Sequence, residues 1–180
     1  LASSAASDVY KRQDLNVMHD KTMPARTYYI PASVRMNDLV EHRERSDRFQ
    51  LLNGEWKFQY YNSIYDVTES FYEKGYDVSG FDQVTVPGVW QMDGYDTHQY
   101  TNIRYPFPFD PPYVPQDIPC GAYVHNFEYH REKKASKAFL NFEGVDSCFY
   151  VWVNGAYAGY SQVPHATSEF DVTDLSLIHI

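Results

Sequence analysis

The sequence predicts an all-β fold, an antiparallel β-sandwich of jelly-roll type. Three observations carry the prediction. Short apolar stretches alternate with period two and are bounded by turn residues. Helical periodicity is almost absent. Long connections separate some of the stretches, as crossovers between two packed sheets require. Aromatic residues make up 17% of the chain, with 17 Tyr, 11 Phe and 3 Trp, and such residues favour strands.

The elements follow in order. Residues 14–48 are polar and irregular, with an Arg/Glu-rich patch at Glu41 to Arg48, and are expected to form an extended arm around the domain at 49–174. Asn53-Gly54 opens a strand, Glu55 to Tyr61, with Trp56, Phe58 and Tyr60 on one face. Asp66 to Lys74 is expected to be a short helix stopped by Gly75. Gln83 to Val86 is a short strand ended by Pro87. The following stretch, up to Gly121, holds most of the ten prolines. It has to be a long ordered loop or a linker, because proline interrupts both ladders and helices.

Strands return after it. Ala122 to His130 places Tyr123, His125, Phe127 and Tyr129 on one face, and Lys137 to Glu143 does the same with Ala138, Leu140 and Phe142. Cys148 to Val153 and Ala156 to Ser161 flank Asn154-Gly155, the pair that a type I′ hairpin turn selects. A two-residue loop sets Trp152 opposite Tyr157 and Val151 opposite Ala158. Glu169 to Val172 is the last strand. No internal repeat or low-complexity segment is present.

Composition bounds the function. A chain of 180 residues with 43% hydrophobic and 22% charged residues is an ordinary globular domain with enough apolar surface for a core. The net charge of −9 and the pI of about 5.1 argue against nucleic-acid or anionic-membrane partners. The longest apolar run, Cys148 to Val153, is too short to span a bilayer. No secretory signal pattern is visible, so a cytoplasmic protein is expected. Leu1 to Gln13 and the final LSLIHI (175–180) resemble translated sequencing-library adapter. They are read as non-native tails, with the natural sequence running from about Asp14 to Asp174.

Few residues advertise chemistry. There is no glycine-rich phosphate cradle, no G-x-S-x-G elbow and no metal-ligand spacing of His or Cys. His125 and His130 fall on opposite strand faces. Cys120 and Cys148 read as buried apolar residues. Glu55, Glu128, Glu143 and Glu169 stand beside strand residues without a sequence-visible partner and read as solvated or capping carboxylates. Trp56 and Trp152 read as core, whereas Trp90, in the proline-rich loop, suits either core packing or a sugar ring. Asn102 sits in that loop among Tyr100, Thr101, Arg104 and Tyr105. A carboxamide both donates and accepts, which fits a vicinal sugar diol. The alternative is an asparagine that bonds its own backbone in a turn.

Longer motifs add a resemblance. LNGEWKF (Leu52 to Phe58) resembles the first strand of glycoside hydrolase family 2 proteins. VPGVWQMDGYDTHQYTNIRYPFPFDPPYVP (Val86 to Pro115) resembles the long loop of large bacterial β-galactosidases. FEGVDSCFYVWVNGAYAGYSQ and SEFDVT (Phe142 to Gln162, Ser168 to Thr173) resemble the strands that close the same N-terminal domain.

The resemblance implies a galactose-binding-domain-like jelly roll, here incomplete at its C-terminal end, preceding immunoglobulin-like and TIM-barrel domains. It implies a parent enzyme that hydrolyses terminal β-galactosides such as lactose by the retaining route. Both catalytic glutamates would lie outside this chain, leaving the fragment inactive alone. It further implies that Asn102 contacts the galactosyl group and that Gln162 lies near a structural magnesium site. Magnesium and sodium are the implied cofactors. The implied partners are the β-galactoside, the remaining domains of the parent and further copies in a homo-oligomer. The competing expectations are a stand-alone carbohydrate-binding module and a purely structural or assembly domain.

Overall fold

Eight strands lie among residues 11–67, 70–130 and 134–175, which the computed structural model describes. They are β1 (His19–Asp20), β2 (Gly54–Tyr61), β3 (Asp82–Val86), β4 (Cys120–Val124), β5 (Phe139–Phe142), β6 (Phe149–Val153), β7 (Ala156–Ser161) and β8 (Ser168–Asp171). All pairings are antiparallel. They form sheets of order β3-β2-β4, β1-β7-β6 and β5-β8. The fold is all-β, as the sequence predicts.

Three local expectations change. The strand expected to reach His130 keeps its ladder only to Val124, where the register with Lys57 on β2 ends. The helix expected over Asp66 to Lys74 is replaced, among the described residues, by turns. Ser63 caps a single 3-10 turn, Ile64–Asp66, in a capping box with Asp66. Beyond it Phe71 and Tyr72 both pack on Trp152, at 6.3 and 4.7 Å between ring centroids. Consecutive helical residues do not face one target, so a helix there would forfeit one of these contacts. The third change is in the hairpin. Asn154 and Gly155 take φ of 52° and 82°, as a type I′ turn requires, and Trp152 faces Tyr157. A bulge then shifts the register, so that Val151 pairs with Gly159 and not with Ala158.

Gly159 itself is closely confined. A Cβ on Gly159 would lie 2.5 Å from the Phe170 ring and 2.6 Å from the Asp20 carbonyl oxygen. Only glycine fits where β7, β8 and β1 meet. Around this point lies a core of Ala138, Val151, Ala158, Phe170 and Val172. The Phe142 and Phe149 rings both meet Phe170 nearly edge-on at 6.0 Å.

The N-terminal arm stitches two sheets together. The Gln162 amide donates to the Met18 carbonyl, His19 pairs with Ser161 and Asp20 with Tyr160. At Lys21 the backbone turns through φ 58°, after which Thr22 bridges to Phe170 and the Met23 amide donates to the Glu169 carbonyl. The buried hydroxyls of Ser161 and Ser168 bond each other, and His19 Nδ1 lies 3.1 Å from Ser161 Oγ. Arg26 then donates to both carboxylate oxygens of buried Glu169. Arg43 bonds Glu143 and the Tyr28 hydroxyl. Lys11–Gln13, within the tail expected from composition, form one 3-10 turn, and Lys11 Nζ bonds Asp20 and Tyr157.

Two measurements check this fold. Gly159→Ala should lower the unfolding free energy by about 1–3 kcal/mol, the usual cost of overpacking, read by urea titration of the 180-residue chain. The second concerns acid. The Thr173 hydroxyl and then Lys137 hold the Asp171 carboxyl at about 2. A depressed carboxyl stabilises the fold above its unfolded value of about 3.9 and loses that contribution as pH falls toward the folded value. Asp171→Asn should therefore flatten the stability loss between about pH 4 and pH 2, followed by thermal melts across that window.

Candidate functional site

The long loop between β3 and β4 is held at both ends. Along β2, alternation puts Trp56, Phe58 and Tyr60 on one face, and Phe58 is fully buried. Trp90 and Tyr95, at the start of the loop, fold back onto that face. Phe58 meets the Tyr95 ring edge-on at 4.8 Å, and Tyr60 meets Trp90 edge-on at 5.7 Å. Tyr123 of β4 joins at 4.6 Å from Phe58, and burial pushes its phenol up to about 12. The turn between the two anchors closes through amides of Met92 and Tyr95 on the carbonyls of Val89 and Trp90. The Tyr95 hydroxyl donates to Asp82 at 2.9 Å. Gly121 makes the packing feasible, since a Cβ there would stand 2.6 Å from the Phe58 ring and 2.8 Å from Trp90. At the other end, Ser63 Oγ donates to the Gln116 carbonyl and the Ile64 amide to that of Ile118.

Between the anchors the loop carries its large side chains outward. Tyr100, Ile103, Tyr105 and Phe109 are 73–78% exposed. Asn102 lies in a turn among them, exposed and without positive φ. Its carboxamide has no hydrogen bond to another described residue. Exposed aromatics flanking a free carboxamide are the groups that grip a sugar's apolar face and its hydroxyls.

The other residues singled out in the sequence have structural partners. Trp90 is a packing residue at the base of the loop. Trp56 stacks on His125 at 4.7 Å and donates to the Leu52 carbonyl, and Trp152 stacks on Tyr72. Glu55 accepts from Thr85 and Gln83. Glu143 and Glu169 are not the partnerless carboxylates the sequence suggested, since each holds an arginine of the arm. Glu128 and His130 approach to 3.6 Å, both almost fully exposed. Burial raises both cysteine thiols, Cys120 to about 11, which makes them poor nucleophiles. Tyr95, Gly121 and Arg26 escaped the sequence reading. Arg26 and Glu169 are separated by 143 positions, and no local pattern links them.

Gln162 lies beside the arm, its side-chain amide donating to the Val17 carbonyl at 2.6 Å. Among the described residues no three His, Cys, Asp or Glu side chains gather as a metal site. Two shallow clefts also open on the surface. One of about 490 Å³ is lined by residues of the 62–66 and 116–117 segments, and one of about 420 Å³ by Gln13, Asp14, Leu15, Asn16 and Pro112. Neither includes Asn102. No helix among the described residues is long and apolar enough to cross a membrane.

Known proteins are similar to this sequence. The family described as "Glycosyl hydrolases family 2, sugar binding domain" matches residues 49–177. A beta-galactosidase of Actinobacillus pleuropneumoniae is 46% identical over 162 residues, covering 90% of this chain and 16% of that protein. One of Staphylococcus xylosus is 44% identical over 163 residues, again 90% and 16%. One of Pectobacterium atrosepticum is 37% identical over 169 residues. The chain thus spans about a sixth of the length of the curated relatives it matches. With its antiparallel all-β fold and a family match over more than half its length, the chain belongs to the sugar-binding domain family of glycoside hydrolase family 2.

Proposed function

We propose that this chain is the N-terminal sugar-binding domain of a retaining β-galactosidase acting on terminal β-galactosides such as lactose, and that its long loop completes the substrate pocket of a barrel domain elsewhere in the parent. One observation supports this most. A loop anchored on a packed aromatic face presents an unpartnered Asn102 amid large exposed side chains. Water is a poor final environment for so many aromatic surfaces on one segment. Against the rest of a protein six times longer, they would be covered and Asn102 would be carried to the substrate.

The chemistry divides accordingly. Retaining hydrolysis needs an acid/base and a nucleophile about 5–5.5 Å apart, and these belong to the barrel. Asn102 binds and orients. Its NH₂ donates to one sugar hydroxyl and its carbonyl accepts from a neighbour. Bonds of this kind persist through the distortion toward an oxocarbenium-like transition state, so part of their energy lowers the barrier. The exposed rings around it exclude water from the closed pocket. The parent is a cytoplasmic homo-oligomer on this reading.

In the full-length parent, Asn102→Ala should lower kcat/KM by roughly ten- to a thousandfold, the range for losing one to a few hydrogen bonds at a transition state. Its thermal midpoint should stay unchanged, because an exposed loop side chain carries little packing. Unaltered kinetics with a lowered midpoint would make Asn102 a turn residue. The 180-residue chain alone should release no chromophore from a nitrophenyl β-galactoside beyond a mock-purified control.

A further inference from the structure

The larger of the two clefts has the makings of a second saccharide site. Its walls are the 62–66 segment, which follows β2, and residues 116–117, which precede β4. They are fixed to each other by Ser63 Oγ on the Gln116 carbonyl and by the Ile64 amide on Ile118. Ser63 and Asp66 also lock the 3-10 turn through their capping box. The walls are therefore held before any ligand arrives, which reduces the ordering cost of binding.

The lining suits a pyranoside. Tyr65 is 53% exposed as a residue, although its side chain bonds Arg12 and Gln13 and the Arg12 guanidinium lies 5.4 Å from its ring centroid. Around it stand the carboxamides of Asn62 and Gln116 and the carboxylates of Asp66 and Asp117. The side chains of Asn62, Gln116 and Asp117 have no hydrogen bond to another described residue. A ring, amides and carboxylates lining one cleft match a sugar, whose apolar C–H face seeks an aromatic surface and whose adjacent hydroxyls both donate and accept. A phosphate or other anion would be repelled by Asp66 and Asp117.

We propose that this cleft binds a neutral β-galactoside as an accessory site, separate from Asn102 and not part of catalysis. The inference rests on the reading of the chain as a galactoside-handling domain, but the two fail separately, one on Tyr65 binding and the other on Asn102 kinetics. The test is an NMR titration of the 180-residue chain with lactose, and with sorbitol as an open-chain polyol lacking a rigid apolar face. Saturable shifts should appear at Asn62, Tyr65, Gln116 and Asp117 with lactose but not sorbitol. Tyr65→Ala and Asp117→Ala should each weaken binding at least about fivefold, the loss of roughly one contact. Tyr65→Phe, which keeps the ring, should stay within about twofold. The proposal is overturned by absence of saturation, by equal shifts with sorbitol, by shifts confined to 97–110, or by unchanged affinity in the Tyr65→Ala variant. If Tyr65→Ala loses its dispersed spectrum, Asp117→Ala decides alone, and wild-type affinity there overturns the site.

Discussion

The aromatic face of β2 is the constraint on which the rest of this domain's function depends. A loop rich in prolines lacks ladder hydrogen bonds and must be positioned by side chains. Trp90 and Tyr95 supply that positioning by packing on Phe58 and Tyr60, and Gly121 leaves the room for it. Phe58 is fully buried by the arrangement. The loop's base thereby belongs to the folded domain, while its tip projects Asn102 and the surrounding rings outward. On the proposed reading, the fixed base and presented tip let a binding group meet a substrate held by another domain.

A second set of contacts keeps the β6–β7 and β5–β8 sheets in mutual register. The arm pairs first with β7 and, one turn later, with β8, and the absence of a side chain at Gly159 lets the three backbones approach. The forked Arg26 bond to Glu169 strengthens this junction because Glu169 is mostly buried. A buried carboxylate without its partner would be costly. Charge is thus a structural device on this side of the molecule, whereas the loop side relies on aromatic packing.

Much of this was legible in the sequence because it depends on local pattern. The strands at β2 and β3 follow from alternation, β6 and β7 from short apolar and aromatic runs, and the Asn154-Gly155 turn from the need for positive φ. The Val151 register was not legible, because nothing in the local alternation marks the bulge. The helix over Asp66 to Lys74 failed for a similar reason, since Trp152 draws Phe71 and Tyr72 to one side. Asn102 was singled out by its chemistry and its motif. The structure adds its exposure and free carboxamide, together with the anchor that the sequence left open between packing and binding in Trp90. Ion pairs of the arm, such as Arg43 with Glu143, carry no signature at all in one sequence.

The central claim is that the loop carries Asn102 to the substrate of a separate domain. The most direct measurement is a crystal structure of the full-length parent with a galactoside bound. The account predicts the Asn102 carboxamide about 3 Å from a sugar hydroxyl, with Tyr100, Ile103, Tyr105 and Phe109 covered by the parent's other domains. A sugar bound in the barrel with Asn102 remote from it, and those side chains still in solvent, would contradict the account.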